Sequence, residues 1–297
     1  MNFALILFLA TVFTGAMWLW ERFSLRPART NAADAQARDF EAANREAIDR
    51  GEKSVIDARN ALYARAMRQP WWIDYTANLF PAFAIVFIFR SFLFEPFRIP
   101  SGSMLPTLYI GDFILVNKFS YGIRLPVINT KVTSGSAPQR GDVVVFKYPM
   151  DESVDYIKRI VGVPGDTVTY RNKELFINGK RVESQPVGDW VDPFSMTTLE
   201  ESREKLGEAW HRRVVDPRAP YGLRGMPYDR VGNACTYSAS GFTCRVPEGQ
   251  YFALGDNRDN SEDSRYWGFI EDRQLVGKAV IIWANFSDMT RVGRIDR

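Results

Sequence analysis

Two apolar stretches near the start of the chain, Phe3 to Trp20 and Trp71 to Phe94, constrain its folding more than any other feature. Their lengths bracket the roughly 20 residues that cross the hydrocarbon core of a bilayer, so both are expected as transmembrane helices. The first ends in Trp18-Leu19-Trp20, an aromatic belt suited to a membrane interface. Thr14-Gly15-Ala16 has the small-residue look of a signal-peptide cleavage site. Met1-Asn2 supplies no positive n-region, however, and the apolar run continues past Ala16, which favours a retained span. In the second stretch Asp74 and Asn78 lie near one end and Arg90 near the other, where a long side chain can snorkel to water. Pro81 is expected to kink this helix.

The segment between the spans, residues 21–70, carries Arg22, Arg26 and Arg29 beside the first helix and Arg65 and Arg68 before the second. An excess of arginine in a short loop places that loop in the cytoplasm, so the segments beyond both spans face outward. The Ala-, Arg-, Glu- and Asp-rich stretch from Ala28 to Met67 suits solvated helix broken near Gly51. It has no catalytic signature. Its charge fits a solvated face, with a contact to cytosolic machinery left open.

Composition narrows the chemistry. A length of 297 residues permits one or two domains besides the spans. A formal net charge of +3, with both signs mixed along the chain, gives no reason to expect nucleic-acid binding. One histidine and two cysteines cannot build the usual zinc or iron–sulfur site, so no metal and no cofactor is expected. Cys235 and Cys244 either pair, in an oxidising compartment, or remain free thiols of a variable loop. A bond closing so short a loop would contribute about 2–3 kcal/mol.

From Glu95 onward the texture changes to short runs such as Phe113 to Val116, Asp142 to Phe146, Tyr156 to Val161, Tyr251 to Leu254 and Ala279 to Trp283. Their β-branched and aromatic content between turn residues predicts a mostly β domain. Only Leu199 to His211 has a helix-like spacing, and His211 falls in what reads as a loop.

Three motifs in this region bear chemistry. In Pro100-Ser101-Gly102-Ser103, the proline fixes the chain and the glycine permits a tight turn, so two hydroxyls and several N–H groups can converge. That suits a nucleophile beside an oxyanion hole, although Ser-Gly-Ser is also an ordinary loop. With so little histidine, a serine nucleophile needs another base. Lys158 lies on a strand whose period of two sets it beside Tyr156 and Ile160, and burial there would lower its pKa toward the range of a general base. Lys118 and Lys147 are rivals, with Lys147 ranked second because it sits at the end of its strand. The third motif, Gly255 to Gly268, is dense in Asp, Asn, Ser and Arg and reads as a buried polar loop. A calcium loop is the alternative, but Arg258 intrudes and no bidentate glutamate closes it.

Together these blocks, with Arg140 to Lys147 and Tyr156 to Asp166, resemble type I signal peptidase in its Gram-negative two-span form. The resemblance implies a mostly β, signal-peptidase-like catalytic domain anchored by two N-terminal transmembrane helices. The divisions expected are 1–20 and 71–94 as spans, 21–70 as a cytoplasmic helical loop, and 95–297 as a periplasmic catalytic β domain with a variable inserted β subdomain at 172–243. It implies Ser103 as nucleophile and Lys158 as general base, with the Ser103 N–H and Ser101 hydroxyl as oxyanion hole. Ser261 resembles the serine that orients the amine, and Asp263 with Arg265 and Asp256 with Arg159 resemble supporting ion pairs. Ile99, Pro100, Met104, Leu108, Tyr156 and Ile157 match the substrate-binding positions, while Glu262 stands where a small residue is expected. The implied activity is removal of signal peptides from exported preproteins after Ala-x-Ala ends, at the bacterial inner membrane. Implied partners are preproteins and the lipid bilayer, with the secretion machinery as a candidate contact. Two other readings compete: a tethered Ser/Lys hydrolase acting on itself or a regulator, and a peptide-binding β module in which Ser103 and Lys158 are dispensable.

Overall fold

The first apolar stretch is helical over α1 (Phe3–Trp20), and the helix runs on through a π turn at Glu21–Leu25 into α2 (Arg26–Ala43). In this computed structural model, which describes residues 3–126, 128–220 and 234–295, the chain divides after Arg90 into two compact units. Within the first unit α3 (Arg45–Asp49) and α4 (Lys53–Ala66) follow, and α4 packs back on α2. Gly51, at φ +70°, makes the turn between α3 and α4, a conformation that costs other residues more.

The second apolar stretch is α5 (Trp71–Asp74), a 3-10 turn, α6 (Phe80–Ile88) and a π turn ending at Leu93. Pro81 does not kink α6 from within. It occupies the first turn, where its missing N–H leaves nothing unpaired, and the bend falls earlier, at Thr76. Both stretches are long and apolar enough to cross a membrane, and side chains such as Phe13 and Ile85 are exposed, at 57% and 69%. A helix apolar all round with its side chains exposed suits lipid and not water.

The second unit is a β structure. In chain order its strands are β1 (Phe94–Arg98), β2 (Phe113–Asn117), β3 (Val143–Tyr148), β4 (Asp151–Gly162), β5 (Thr167–Arg171), β6 (Glu174–Ile177) and β7 (Lys180–Arg181). They continue as β8 (Ser184–Val191), β9 (Thr198–Leu206), β10 (Ala209–Val215), β11 (Cys235–Ser238), β12 (Gly241–Arg245) and β13 (Gln250–Leu254). After a short helix, α7 (Ser264–Trp267), come β14 (Ile270–Glu271), β15 (Leu275–Ala284) and β16 (Gly293–Arg294). The main sheet runs β1-β2-β15-β3-β4-β13-β14, with β16 on β15. A second sheet is ordered β11-β12-β5-β6-β7 and a third β10-β9-β8. Ile99, Met104, Leu108, Ile114, Val145 and Ile157 share one buried cluster in this unit.

Leu199 to His211 is not helical but spans the antiparallel hairpin β9–β10. Its alternation was hidden because two of the inward positions, Glu201 and Glu204, are charged. Each is buried against arginine, Glu201 on Arg212 and Glu204 on Arg258 and Arg213. His211 is likewise no loop residue, for it lies on β10 with its side chain 4% exposed. Cys235 and Cys244 face each other across β11 and β12 and are disulfide-bonded.

Candidate active site

The end of β1 feeds directly into the serine turn. Ile99 donates its N–H to Asp112 O at 2.8 Å and accepts from Gly111 N at 2.9 Å, which fixes the chain just before Pro100. Ser101 is still extended, and Gly102–Met104 then form one 3-10 turn that carries Ser103. The turn is held from outside by a residue the sequence reading passed over: Asn257 donates its side-chain amide to Gly102 O and its backbone N–H to Ser103 O, both at 3.1 Å. Only the register of a distant loop against this turn could have revealed Asn257, and a lone asparagine carries no such signal. The two hydroxyls of the turn, Ser101 Oγ and Ser103 Oγ, lie 3.5 Å apart.

Lys158 comes from the middle of β4, opposite Val144 on β3. Its side chain crosses to the turn, and Nζ sits 2.8 Å from Ser103 Oγ and 3.0 Å from Ile157 O. The Tyr156 ring lies 5.2 Å from the same nitrogen. Burial is the largest influence on this amine and pulls its pKa down from 10.5 to about 8, against the opposing pull of Asp263, Glu262 and Asp256. The rival lysines are engaged elsewhere, Lys147 with Asp155 at 2.9 Å and Lys118 with Glu95 at 3.0 Å.

Two buried ion pairs underlie the site. Arg159 clasps Asp256 through Nε at 2.9 Å and Nη2 at 2.8 Å. Arg265 clasps Asp263 through Nε at 2.7 Å and Nη2 at 2.8 Å. Asp263 also accepts the Gly255 N–H at 3.0 Å and caps α7. Burial alone would raise the Asp263 pKa, but Arg265 and the Gly255 N–H outweigh it and hold the carboxyl below its usual range. Strand β10 pins the other end of the loop, with Val214 N donating to Asp256 O and Arg258 N to Val214 O. The segment read from sequence as a variable insert thus props the site directly.

The remaining predicted residues are dispersed. Ser261 Oγ is buried and bears on the Asp263 carboxyl, while the hydrogen bonds of the Lys158 amine run to Ser103 Oγ and Ile157 O. Ile99, Met104, Leu108 and Ile157 belong to the buried core below the turn, whereas Pro100 is exposed and Tyr156 half-buried. Glu262 accepts from Tyr148 at 2.7 Å and Tyr156 at 3.2 Å, at the exposed rim. Among the described residues no group of three or more His, Cys, Asp or Glu is placed to hold a metal ion.

Space is tightest at Gly255. A Cβ there would fall 2.3 Å from Ser261 Oγ and 2.4 Å from Ser103 O, so the serine turn would have to move. Gly255→Ala is expected to lose activity by about 10²-fold per folded molecule, since displacing a reacting group by an ångström costs that much. Steady-state kinetics normalised to the folded fraction checks this.

Fold and site define the class: a hydrolase with a serine turn and a buried lysine in a β unit, preceded in the chain by two apolar helices. The family described as signal peptidase, peptidase S26, matches residues 72–284. Signal peptidase I of Pseudomonas aeruginosa is 40% identical, covering 97% of this chain and 94% of that protein. Signal peptidase I of Pseudomonas fluorescens is 41% identical over the same shares. The Haemophilus influenzae enzyme of that name is 34% identical, covering 95% of this chain and 85% of that one. The chain belongs to the signal peptidase family of serine peptidases, S26.

Proposed function

We propose that this enzyme removes signal peptides from exported preproteins by a Ser103–Lys158 dyad, cutting after small-x-small sites. The observation that carries this reading is the 2.8 Å approach of Lys158 Nζ to Ser103 Oγ in a buried setting. With its pKa brought down to about 8, a useful share of the amine is neutral at pH 7–8 and its lone pair can accept the serine proton. Ser103 Oγ then attacks the scissile carbonyl. The negative oxygen is held by the Ser103 N–H and the Ser101 hydroxyl, whose oxygen lies 3.5 Å from the nucleophile. The protonated amine passes its proton to the leaving amine, giving an acyl-enzyme. The same lysine, neutral again, takes a proton from water, which attacks the ester and releases Ser103.

Two apolar helices before the β unit in the chain support anchoring of the enzyme in the bilayer, where the apolar segment of a preprotein resides. Arg22, Arg26 and Arg29 with Arg65 and Arg68 favour a cytoplasmic position for residues 21–70 and an outward, periplasmic one for the β unit. The Cys235–Cys244 disulfide supports an oxidising compartment. The secretion machinery remains a proposed contact of the cytoplasmic segment.

The test is mass spectrometry of the products from a purified preprotein and the enzyme in detergent. A single cut after an Ala-x-Ala end, absent in Ser103→Ala, is the expected outcome. Cleavage at unrelated sites, or only of the enzyme's own chain, would favour the tethered hydrolase that acts on itself. An uncut substrate that still binds would favour the peptide-binding module.

A further inference from the structure

A cavity that the proposed chemistry does not use lies between β10, the segment around β16 and the pair Pro106-Thr107 just after the serine turn. It has a volume of about 170 Å³. Its lining residues include Arg159, Arg212, Arg291, Arg294 and His211, but no Asp or Glu among the described residues. Three of the arginines are fixed by carboxylates outside the lining: Arg159 by Asp256 at 2.8 Å, Arg212 by Glu201 at 2.9 Å and Arg291 by Asp112 at 2.6 Å. Arg294 is exposed and makes no ion pair among the described residues.

His211 is the sharper indicator. Its side chain is 4% exposed, and no side chain among the described residues hydrogen-bonds either ring nitrogen, although the Glu204 backbone lies close enough to bear on the ring. The carboxylates of Glu204 and Asp256 come no nearer to Nε2 than 3.6 and 3.8 Å. Burial, followed by Arg159, Arg258 and Arg213, holds its pKa well below the usual histidine range, so the ring is neutral with one N–H to give. A buried donor without a well-aligned acceptor is costly, and a ligand that accepts it recovers that cost.

We propose that this cavity binds a phosphate group, as free phosphate or as the headgroup of an anionic phospholipid, through Arg294 and His211 with the anchored arginines around it. A tetrahedral oxyanion presents acceptor oxygens to several guanidiniums at once, whereas a carboxylate is satisfied by one fork. The volume exceeds the roughly 30 Å³ share of a single water. The site also touches the catalytic frame: Thr107, in its lining, donates to Asp256 at 2.6 Å, and Arg159 adjoins Lys158. The proposal stands whether or not Ser103 acts on preproteins.

The test is thermal unfolding of the full chain. In detergent, sodium phosphate is titrated against sodium chloride at equal ionic strength. In parallel, nanodiscs of phosphatidylcholine are compared with nanodiscs that also hold phosphatidylglycerol. A saturable rise in Tm is expected, with Arg294→Gln weakening the apparent affinity by about tenfold or more. Arg294 is exposed and has no ion-pair partner among the described residues, so this variant should fold, and a bulk salt effect would persist in it. His211→Gln, which restores a donor of different shape, should weaken binding as well. A rise with free phosphate in detergent identifies the soluble anion, and a rise only with phosphatidylglycerol, lost in Arg294→Gln, identifies the headgroup. No saturable rise from either source, or one of equal size in Arg294→Gln, overturns the proposal.

Discussion

Lys158→Met is expected to abolish peptide cleavage and, at pH 7, to make the protein more stable. The loss of activity follows from removing the only amine within reach of Ser103 Oγ among the described residues, and a positioned base is worth about 10²–10⁴-fold. The gain in stability follows from burial. A lysine whose pKa falls from 10.5 unfolded to about 8 folded is charged at a cost of about 3 kcal/mol below pH 8. Between about pH 8 and 10.5 the unfolded chain holds more of this proton than the folded one, so wild-type stability climbs with pH through that window. The advantage of Lys158→Met is therefore largest below pH 8 and fades by about pH 10.5, and methionine nearly matches lysine in volume. Denaturant unfolding at pH 7 and pH 10 measures both ends. A variant less stable than wild type at pH 7 would mean that Asp263 and Asp256 stabilise a charged amine, contrary to the proposed base.

Asp263→Ala is expected to cost about 3–5 kcal/mol, because it leaves Arg265 charged and unpaired where it is 4% exposed. It also strips the Gly255 N–H of its acceptor and α7 of its cap. Since Gly255 lies close against Ser103 O, with no room for a Cβ between them, the damage should reach the serine turn, so activity falls even at temperatures where the variant remains folded. The Asp263 carboxyl is held below its unfolded pKa, so its stabilisation is present above that value and disappears as pH falls through the lower, folded one. Denaturant unfolding at pH 7 and pH 3 checks this: the gap between wild type and variant should narrow in acid. An unchanged gap would assign the loss to packing instead.

The sequence disclosed the parts of this site that local pattern encodes. Alternation around Tyr156 to Val161 set Lys158 on a strand, and the apolar runs marked the helices, because hydrophobic periodicity is a local property. What stayed hidden depends on partners far along the chain. Glu201 and Glu204 are buried only because Arg212, Arg213 and Arg258 meet them, so their hairpin lacked an apolar stripe and read as helix. His211, on the same hairpin, is buried by that network and not by any feature of its neighbours. Asn257 acts through a register between two loops, and Cys235 with Cys244 through the pairing of β11 and β12. Pro81 misled in the other direction, since a proline in an apolar run signals a kink as readily as a first turn.

The most direct test of the Ser103–Lys158 assignment is the pH dependence of kcat/KM for preprotein cleavage, taken from pH 6 to 11. The account predicts a rise of one proton's steepness to a plateau, with an apparent pKa about 8, and no cleavage by Ser103→Ala at any pH. A rise centred near 10.5, the ordinary value for lysine, would contradict it, as would a full rate from Lys158→Met.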